Sequence, residues 1–371
     1  MVRWSPASNP TIEEVEVSAY RFPTDGPESD GTIEWNETTL VLVEVQGGGR
    51  RGLGYTYTHH AAASLIRDVF VPLLVGQPVF DIGRLKVVLD DSTRNIGRPG
   101  LSAEAVSAVD VALWDLKARI VGLPLQQLLG EVRQHVSIYG SGGFTSYSER
   151  RLAEQLGSWA EAGLPAVKMK VGRDPAADPA RVSAARLAIG PRVDLFVDGN
   201  GAYEQRQTLA LAEEFAALGV SWLEEPVPAG DVEGLRFIRE RLQAGMRIAA
   251  GEYCSESLDF LRLLRPGAVD VLQADATRCG GVTGFLQAAA LCEAFNLPLS
   301  PHTAPSIHLP LCCAVRCKLE PLEYFYDHVR IEQLFFDGAQ LPRHGQLQPD
   351  ETALGLGLRP RHAEMEAYRI Q

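Results

Sequence analysis

The stretch AVKMKVG, Ala166–Gly172, sets two lysines one residue apart inside otherwise apolar sequence. Ala166, Val167, Met169 and Val171 read as the filling of a buried strand, so Lys168 and Lys170, at i and i+2, point to one face. Lysine is rarely buried fully without a partner. Either this face is open to water, or acidic groups wait opposite it.

Runs of the same kind lie on both sides. VSIYG (136–140) precedes the lysine strand, and VDLFVDGN (193–200), VSWLEEP (220–226), RIAAGE (247–252), VDVLQAD (269–275), LPLSPH (297–302) and LEYFY (322–326) follow it. Helical stretches separate them, among them LAEQLGSWAEAG, QTLALAEEFAALG and GFLQAAALCEAFN. Regular strand–helix alternation argues for parallel βαβ units. Eight such units suggest a (β/α)₈-type barrel, for which about 250 residues is typical. The competing architecture is a doubly wound open sheet. No GxGxxG follows the first strand and no GxxxxGK[ST] is present, so a phosphate-cradling loop is not indicated.

The first 130 residues follow a different grammar. Residues 12–20 and 38–46 read as strands, GGGRRGLG as the turn after the second, and 61–74 and 102–121 as helices. Between the two strands, RFPTDGPESDGTIEWNE is rich in Pro, Gly and Asp and reads as a long loop of the functional kind. The expected organisation is an α+β domain over 1–130, a barrel over 131–340, and a segment 341–371 that packs back on the first domain.

The chain's 371 residues carry a net charge of −12. That balance argues against nonspecific nucleic-acid binding, which needs a basic surface. An anionic substrate would need local positive charge from a metal or from lysines. The 6 cysteines form no CxxC pair and sit among small apolar neighbours, which suggests buried thiols in a reducing, cytoplasmic setting. The opening MVRWSPASNP has no apolar h-region, and no apolar run is long enough for a spanning helix. No membrane partner is expected.

The strand ends are the informative part. Lys168 and Lys170, Asp198 and Asn200, Glu224, Glu252, Asp275, His302 and Glu323 stand at or near the C-terminal ends of successive runs. In a parallel barrel those ends meet at one rim, where active sites are built. Asp198, Glu224 and Glu252 would repel one another unless a cation joined them. All-oxygen ligation favours a hard ion, Mg²⁺ before Ca²⁺ or Mn²⁺. Lys168 and the metal could then depress Lys170 enough for it to act as a base, while Lys168 binds a substrate carboxylate. Asp275 could orient His302 for proton transfer. Polar and aromatic residues in the first domain, Asp25, Glu28, Asp30, Trp35, Tyr55, Tyr57, His59 and His60, could close the mouth over a polyhydroxylated substrate. Tyr55 is the one singled out for substrate contact.

With KMK, VDGN, LEEP, GE, DATRCGGVTG, SPH and LEY in order, and AVSAVDVALWDLKARIVGLPLQQLLG before them, the chain resembles the enolase superfamily, and within it the mandelate racemase-like group. The resemblance implies a TIM-like (β/α)₇β barrel under an α+β capping domain, one Mg²⁺, and proton abstraction alpha to a carboxylate. It makes Asp198, Glu224 and Glu252 the metal ligands. Lys170, with Lys168 as its electrostatic partner, becomes the base on one face, and His302 with Asp275 the acid/base on the other. Glu323 would bond the substrate carboxylate, and Asn200 would sit beside metal and substrate. Asp275, rather than lysine, on the sixth run points away from the muconate lactonizing and dipeptide epimerase groups. Arg278 stands where lysine is common. The expected reaction is dehydration of an aldonate or aldarate to a 2-keto-3-deoxy acid, with a small-molecule carboxylate as the partner and a homo-oligomeric assembly. Racemisation or epimerisation with the same bases is the alternative. A Schiff-base aldolase using Lys170, or a non-catalytic binding protein on the same barrel, fits the acid series less well.

Overall fold

The structure, a computed structural model, describes residues 9–370. The opening stretch, on which the absence of an apolar leader was read, lies for the most part outside them.

The N-terminal domain is a three-stranded antiparallel meander in the order β1 (Ile12–Ser29), β2 (Glu34–Gly47) and β3 (Arg50–Tyr57). The expected long loop is mostly strand. β1 and β2 pair from Ile12/Gly47 out to Ser29/Glu34, with a register shift between Pro23 and Glu28. Proline is admissible there because β1 is an edge strand and the shift leaves its missing N–H unneeded. The helix Leu101–Val121 lies across the meander. Gly52 and Gly54 let it approach: a Cβ on Gly54 would sit 2.2 Å from the Ala108 carbonyl oxygen, and one on Gly52 2.3 Å from the Leu116 nitrogen.

Eight parallel strands follow: β4 (Val136–Gly142), β5 (Ala166–Lys170), β6 (Asp194–Asp198), β7 (Val220–Glu224), β8 (Arg247–Ala250), β9 (Val271–Ala274), β10 (Leu299–Pro301) and β11 (Leu322–Phe325). They pair in the order β10-β9-β8-β7-β6-β5-β4-β11. The ring closes where the lead into β11 meets β10, with Leu299 N donating to Lys318 O and Glu320 N to Leu299 O at 2.9 Å each. The fold is a TIM-like barrel with a cap, as the alternation and the resemblance implied; the open-sheet alternative falls.

Side-chain alternation fills the barrel. Tyr139, Ala166, Phe196, Trp222, Ala249 and Val271 form one buried inward cluster. Two residues further along the strands, the same inward face carries Lys168 on β5, Asp198 on β6 and Glu224 on β7. An aromatic plug thus floors the site, with Lys168 Nζ 5.4 Å from the Tyr139 ring centre.

β11 runs into the helix Tyr326–Phe335, which forms the seam with the cap. Tyr20 and Phe22 set their rings edge-on to Phe335, and Tyr55 donates to Glu332 Oε1 at 2.8 Å. The chain end returns to the first domain: Ile370 N donates to Ala19 O at 2.8 Å, and Leu356 N to the buried Asp115 at 2.6 Å. All six cysteines are free and buried. Among the described residues no helix is long and apolar enough to cross a membrane.

Candidate active site

Register brings the charged strand ends together. Lys170 is the lateral neighbour of Asp198, and Asp198 of Glu224. Carboxylate oxygens of Asp198, Glu224 and Glu252 lie within 4.8 Å of one another, and all three residues are buried. The lysines answer the question their spacing raised. Lys168 Nζ lies 2.7 Å from Glu224 Oε1, 2.8 Å from Glu323 Oε1 and 3.7 Å from Asp198 Oδ2. Lys170 Nζ lies 2.5 Å from Asp198 Oδ2. Trp222 of the plug donates from Nε1 to Glu224 Oε2 at 3.0 Å.

On the other flank, His302 Nδ1 is 2.8 Å from Asp275 Oδ2, and its Nε2 is 3.1 Å from Glu252 Oε2 and 3.7 Å from Glu323 Oε2. Asp275 is oriented by Thr277, whose N and Oγ1 both donate to Oδ1 at 2.7 Å. Glu323 accepts from Ser141 Oγ at 2.6 Å and Thr303 N at 3.1 Å. Arg278 Nη1 reaches Glu252 Oε1 at 3.3 Å. Ser141, Thr303 and Thr277 carry no sequence signal of their own, because single hydroxyls beside strand ends are common; only the strand register singles them out.

The charges on this cluster follow from who faces whom. Burial is the largest single influence on Lys170 and pulls it down, but the Asp198, Glu252 and Glu224 carboxylates together make the net push upward. Lys168 does lower Lys170, as expected, but with no cation on the carboxylates it counts for less than the acids around the ammonium. Burial also works against a charged His302, yet Glu252 and Glu323 raise it to about 10, so it stands as imidazolium. Burial and Asp198 push Glu224 up to about 8. Burial would raise Glu252 and Glu323 as well. His302 and Arg278 instead hold Glu252 well below the usual carboxylate range, and Lys168 and His302 hold Glu323 at about 2. Ionised, Glu323 is an acceptor, and it must take up a proton before it can bond a carboxylate.

The acid set fits a hard cation. Its donors are all oxygens, and beside it Asn200 Oδ1 is a buried acceptor without a hydrogen-bond donor. Asn200 N itself donates to Asp198 Oδ1 at 2.9 Å, from a left-handed backbone at φ 44°. Asp198, Glu224 and Glu252 are the residues that could hold Mg²⁺.

Above the acids lies a cavity of about 400 Å³, lined by Lys170, Asn200, Glu252, Arg278, His302 and Glu323 from the barrel and by cap residues including Asp30, Trp35, Tyr57 and His59. Tyr55 is not among them and is fully buried against Glu332; the expectation of substrate contact there is corrected. Tyr55 and Tyr57 share a face of β3, but two residues, roughly 7 Å, separate them along the strand, and only Tyr57 reaches the cavity. Asp25, Glu28 and His60 also lie outside its lining.

Comparison with known proteins agrees with this geometry. Residues 14–130 match the mandelate racemase / muconate lactonizing enzyme N-terminal domain, and residues 151–364 the enolase C-terminal domain-like family. L-talarate/galactarate dehydratase of Salmonella typhimurium is 30% identical over 361 residues, covering 94% of this chain and 89% of the relative. A mandelate racemase/muconate lactonizing enzyme-like protein from Rubrobacter xylanophilus superposes with a TM-score of 0.94 at 50% identity, covering 97% of this chain and 100% of that one. A racemase from Streptomyces coelicolor A3(2) with bound magnesium superposes with a TM-score of 0.90 at 29% identity, over 97% and 100% of the two chains. The chain belongs to the mandelate racemase / muconate lactonizing enzyme family of the enolase superfamily.

Proposed function

We propose that the protein is a Mg²⁺-dependent hydro-lyase that removes the proton alpha to the carboxylate of an acid sugar and expels the β-hydroxyl, leaving a 2-keto-3-deoxy acid. The observation that carries this reading is the placement of two proton-transfer groups on either side of the acid set. Lys170 stands on β5, on one side of the ligand strands, and His302 follows β10, on the other. When bound, Mg²⁺ supplies Lewis-acid polarisation of the substrate carboxylate. Lys168 adds a fixed positive charge for the same group. A cation held by Asp198 would relieve the contact that keeps Lys170 protonated, and Lys170 could then accept the alpha proton. His302, held as imidazolium between Asp275 and Glu252, gives its proton to the departing hydroxyl, which leaves as water. The C–H pair becomes the new double bond as the C–O bond breaks, and the enol tautomerises to the ketone. Glu323, once it has taken up a proton, would donate to the developing charge, with Ser141 and Thr303 behind it. The relative named as a dehydratase supports this class.

A racemase among the structural neighbours, together with bases on both flanks, favours one second reading: inversion at the alpha carbon. A panel of acid-sugar stereoisomers with Mg²⁺ separates the two. A carbonyl product trapped by semicarbazide is the expected result. Solvent deuterium entering the alpha position without any carbonyl product would overturn dehydration in favour of the second reading.

A further inference from the structure

We propose that the cavity selects sugar acids with a single carboxylate: the end against the cap binds an uncharged polyol tail, and His328 donates a hydrogen bond to it from Nε2. The proposal rests on the reading above that the barrel mouth holds the reacting carboxylate.

The cavity has two unlike walls. Among its described lining residues, lysine and arginine are represented by Lys170 and Arg278, both from the barrel. Lys170 is engaged with Asp198 at 2.5 Å. Arg278 spans Glu252 Oε1 at 3.3 Å and Asp275 Oδ2 at 3.7 Å. The cap wall brings carboxylates instead, from Asp30 and Glu37. Arg21 balances Glu37 at 3.1 Å. Asp30 is held by neutral donors, with its Oδ1 accepting from Thr32 N, Thr32 Oγ1 and Ile33 N at 2.6, 3.1 and 2.8 Å. A second substrate carboxylate on this side would meet like charge, with no lysine or arginine on the cap side of the described lining to offset it. A hydroxyl could donate to the same oxygens, and Thr38 and Thr39 add neutral groups beside them.

His328 completes this end. Its ring stacks on Tyr57, with centroids 3.4 Å apart and planes 11° from parallel. Ala304 N donates to its Nδ1 at 3.4 Å. The proton then belongs on Nε2, for which no protein acceptor is found among the described residues, and the ring borders the cavity. Burial holds this histidine well below its ordinary value, so it offers a neutral N–H. Such a group suits a hydroxyl or ring oxygen and gives a carboxylate no ion pair. The Salmonella relative carries a name with two diacids in it, so the proposal sets this chain apart from that relative.

The test is calorimetric binding to the Mg²⁺-loaded His302→Asn protein, in which turnover is slowed, using aldonates paired with aldarates of matching configuration. The expected result is tighter binding of the monoacid by at least about tenfold. A diacid that binds as well or better, or a panel in which neither class binds, overturns the proposal. The wild-type enzyme run on the same panel judges the reaction separately: monoacid binding without keto-acid formation would sink the dehydration reading and leave this one standing. Thr38→Arg should recover diacid binding by about tenfold, and no gain counts against the like-charge argument. His328→Phe keeps the stack on Tyr57 but loses the donor. It should weaken a six-carbon monoacid by about tenfold while leaving lactate, which has no tail, unchanged. Equal loss for both ligands would mean that His328 merely supports the fold.

Discussion

Lys168 is fully buried, and Glu224 and Glu323 both face it within 2.8 Å. Removing one partner of a buried ion pair leaves an uncompensated charge and typically costs about 3–5 kcal/mol. Lys168→Met should therefore destabilise the metal-free protein by about that much in urea titration, and a loss under about 1 kcal/mol would mean that the carboxylates are neutral there. His302 makes a different prediction. A positioned acid contributes roughly 10²–10⁴ in rate. His302→Asn should lower keto-acid formation by about that factor while alpha-deuterium exchange through Lys170 continues. If exchange falls in parallel with product, His302 is the base and the assignment of flanks is reversed. At this scale the ionisable residues were legible because a charge at a buried strand end is rare and regularly spaced. The hydroxyls that orient them were not, because Ser141, Thr277 and Thr303 matter only through contacts 2.6–3.1 Å long that register alone creates.

Strand β3 and the helix Leu101–Val121 show why the cap was harder to read than the barrel. Their contact depends on what Gly52 and Gly54 lack, and composition cannot distinguish glycine that permits close approach from glycine that makes a turn. Gly54→Ala would press a methyl group onto the Ala108 carbonyl. It should cost about 1–3 kcal/mol or more, seen as a lower unfolding midpoint, with an unchanged midpoint refuting the close approach. The arm of β1 beyond Pro23 read as a loop for a related reason: its Pro, Gly and Asp suit an edge strand with a register shift as well as a loop. The seam helix Tyr326–Phe335 adds a pH response. Burial raises Glu332 to about 7, although Ser306, Tyr55 and Tyr57 all donate to it. An acid raised in the folded state binds its proton more tightly than the unfolded chain does, so stability falls as pH rises from the unfolded value of 4.5 towards 7 and levels off above. The full effect is about 3 kcal/mol. Glu332→Gln should flatten that slope relative to wild type between pH 5 and about 7.5; parallel curves would show that the carboxylate does not titrate in this window.

On the scale of the whole molecule, the barrel was legible because one physical period repeats eight times, and on β5, β6 and β7 the inward face carries first a plug residue and then a charged one. Phe196 with Asp198 and Trp222 with Glu224 are that pattern in two strands. The cap has no such repeat, which is why Tyr55 and Tyr57 could not be told apart without coordinates. The same layering ties folding to the ion. Asp198, Glu224 and Glu252 come from the ends of three neighbouring strands and meet only when those strands pair, so the unfolded chain has no equivalent site. A ligand that binds only the folded form stabilises it by RT ln(1 + [L]/Kd), about 2.7 kcal/mol at a hundredfold excess over Kd. Saturating Mg²⁺ should therefore raise the unfolding free energy of the wild-type protein by about that amount, and chelation should reverse it. Asp198→Asn should lose most of the gain while keeping the fold by circular dichroism, since its oxygen can still accept from Asn200 N. If Mg²⁺ stabilised the variant as strongly as the wild type, the ion would be held somewhere other than this rim. The convergence of the strand ends would then need a different explanation.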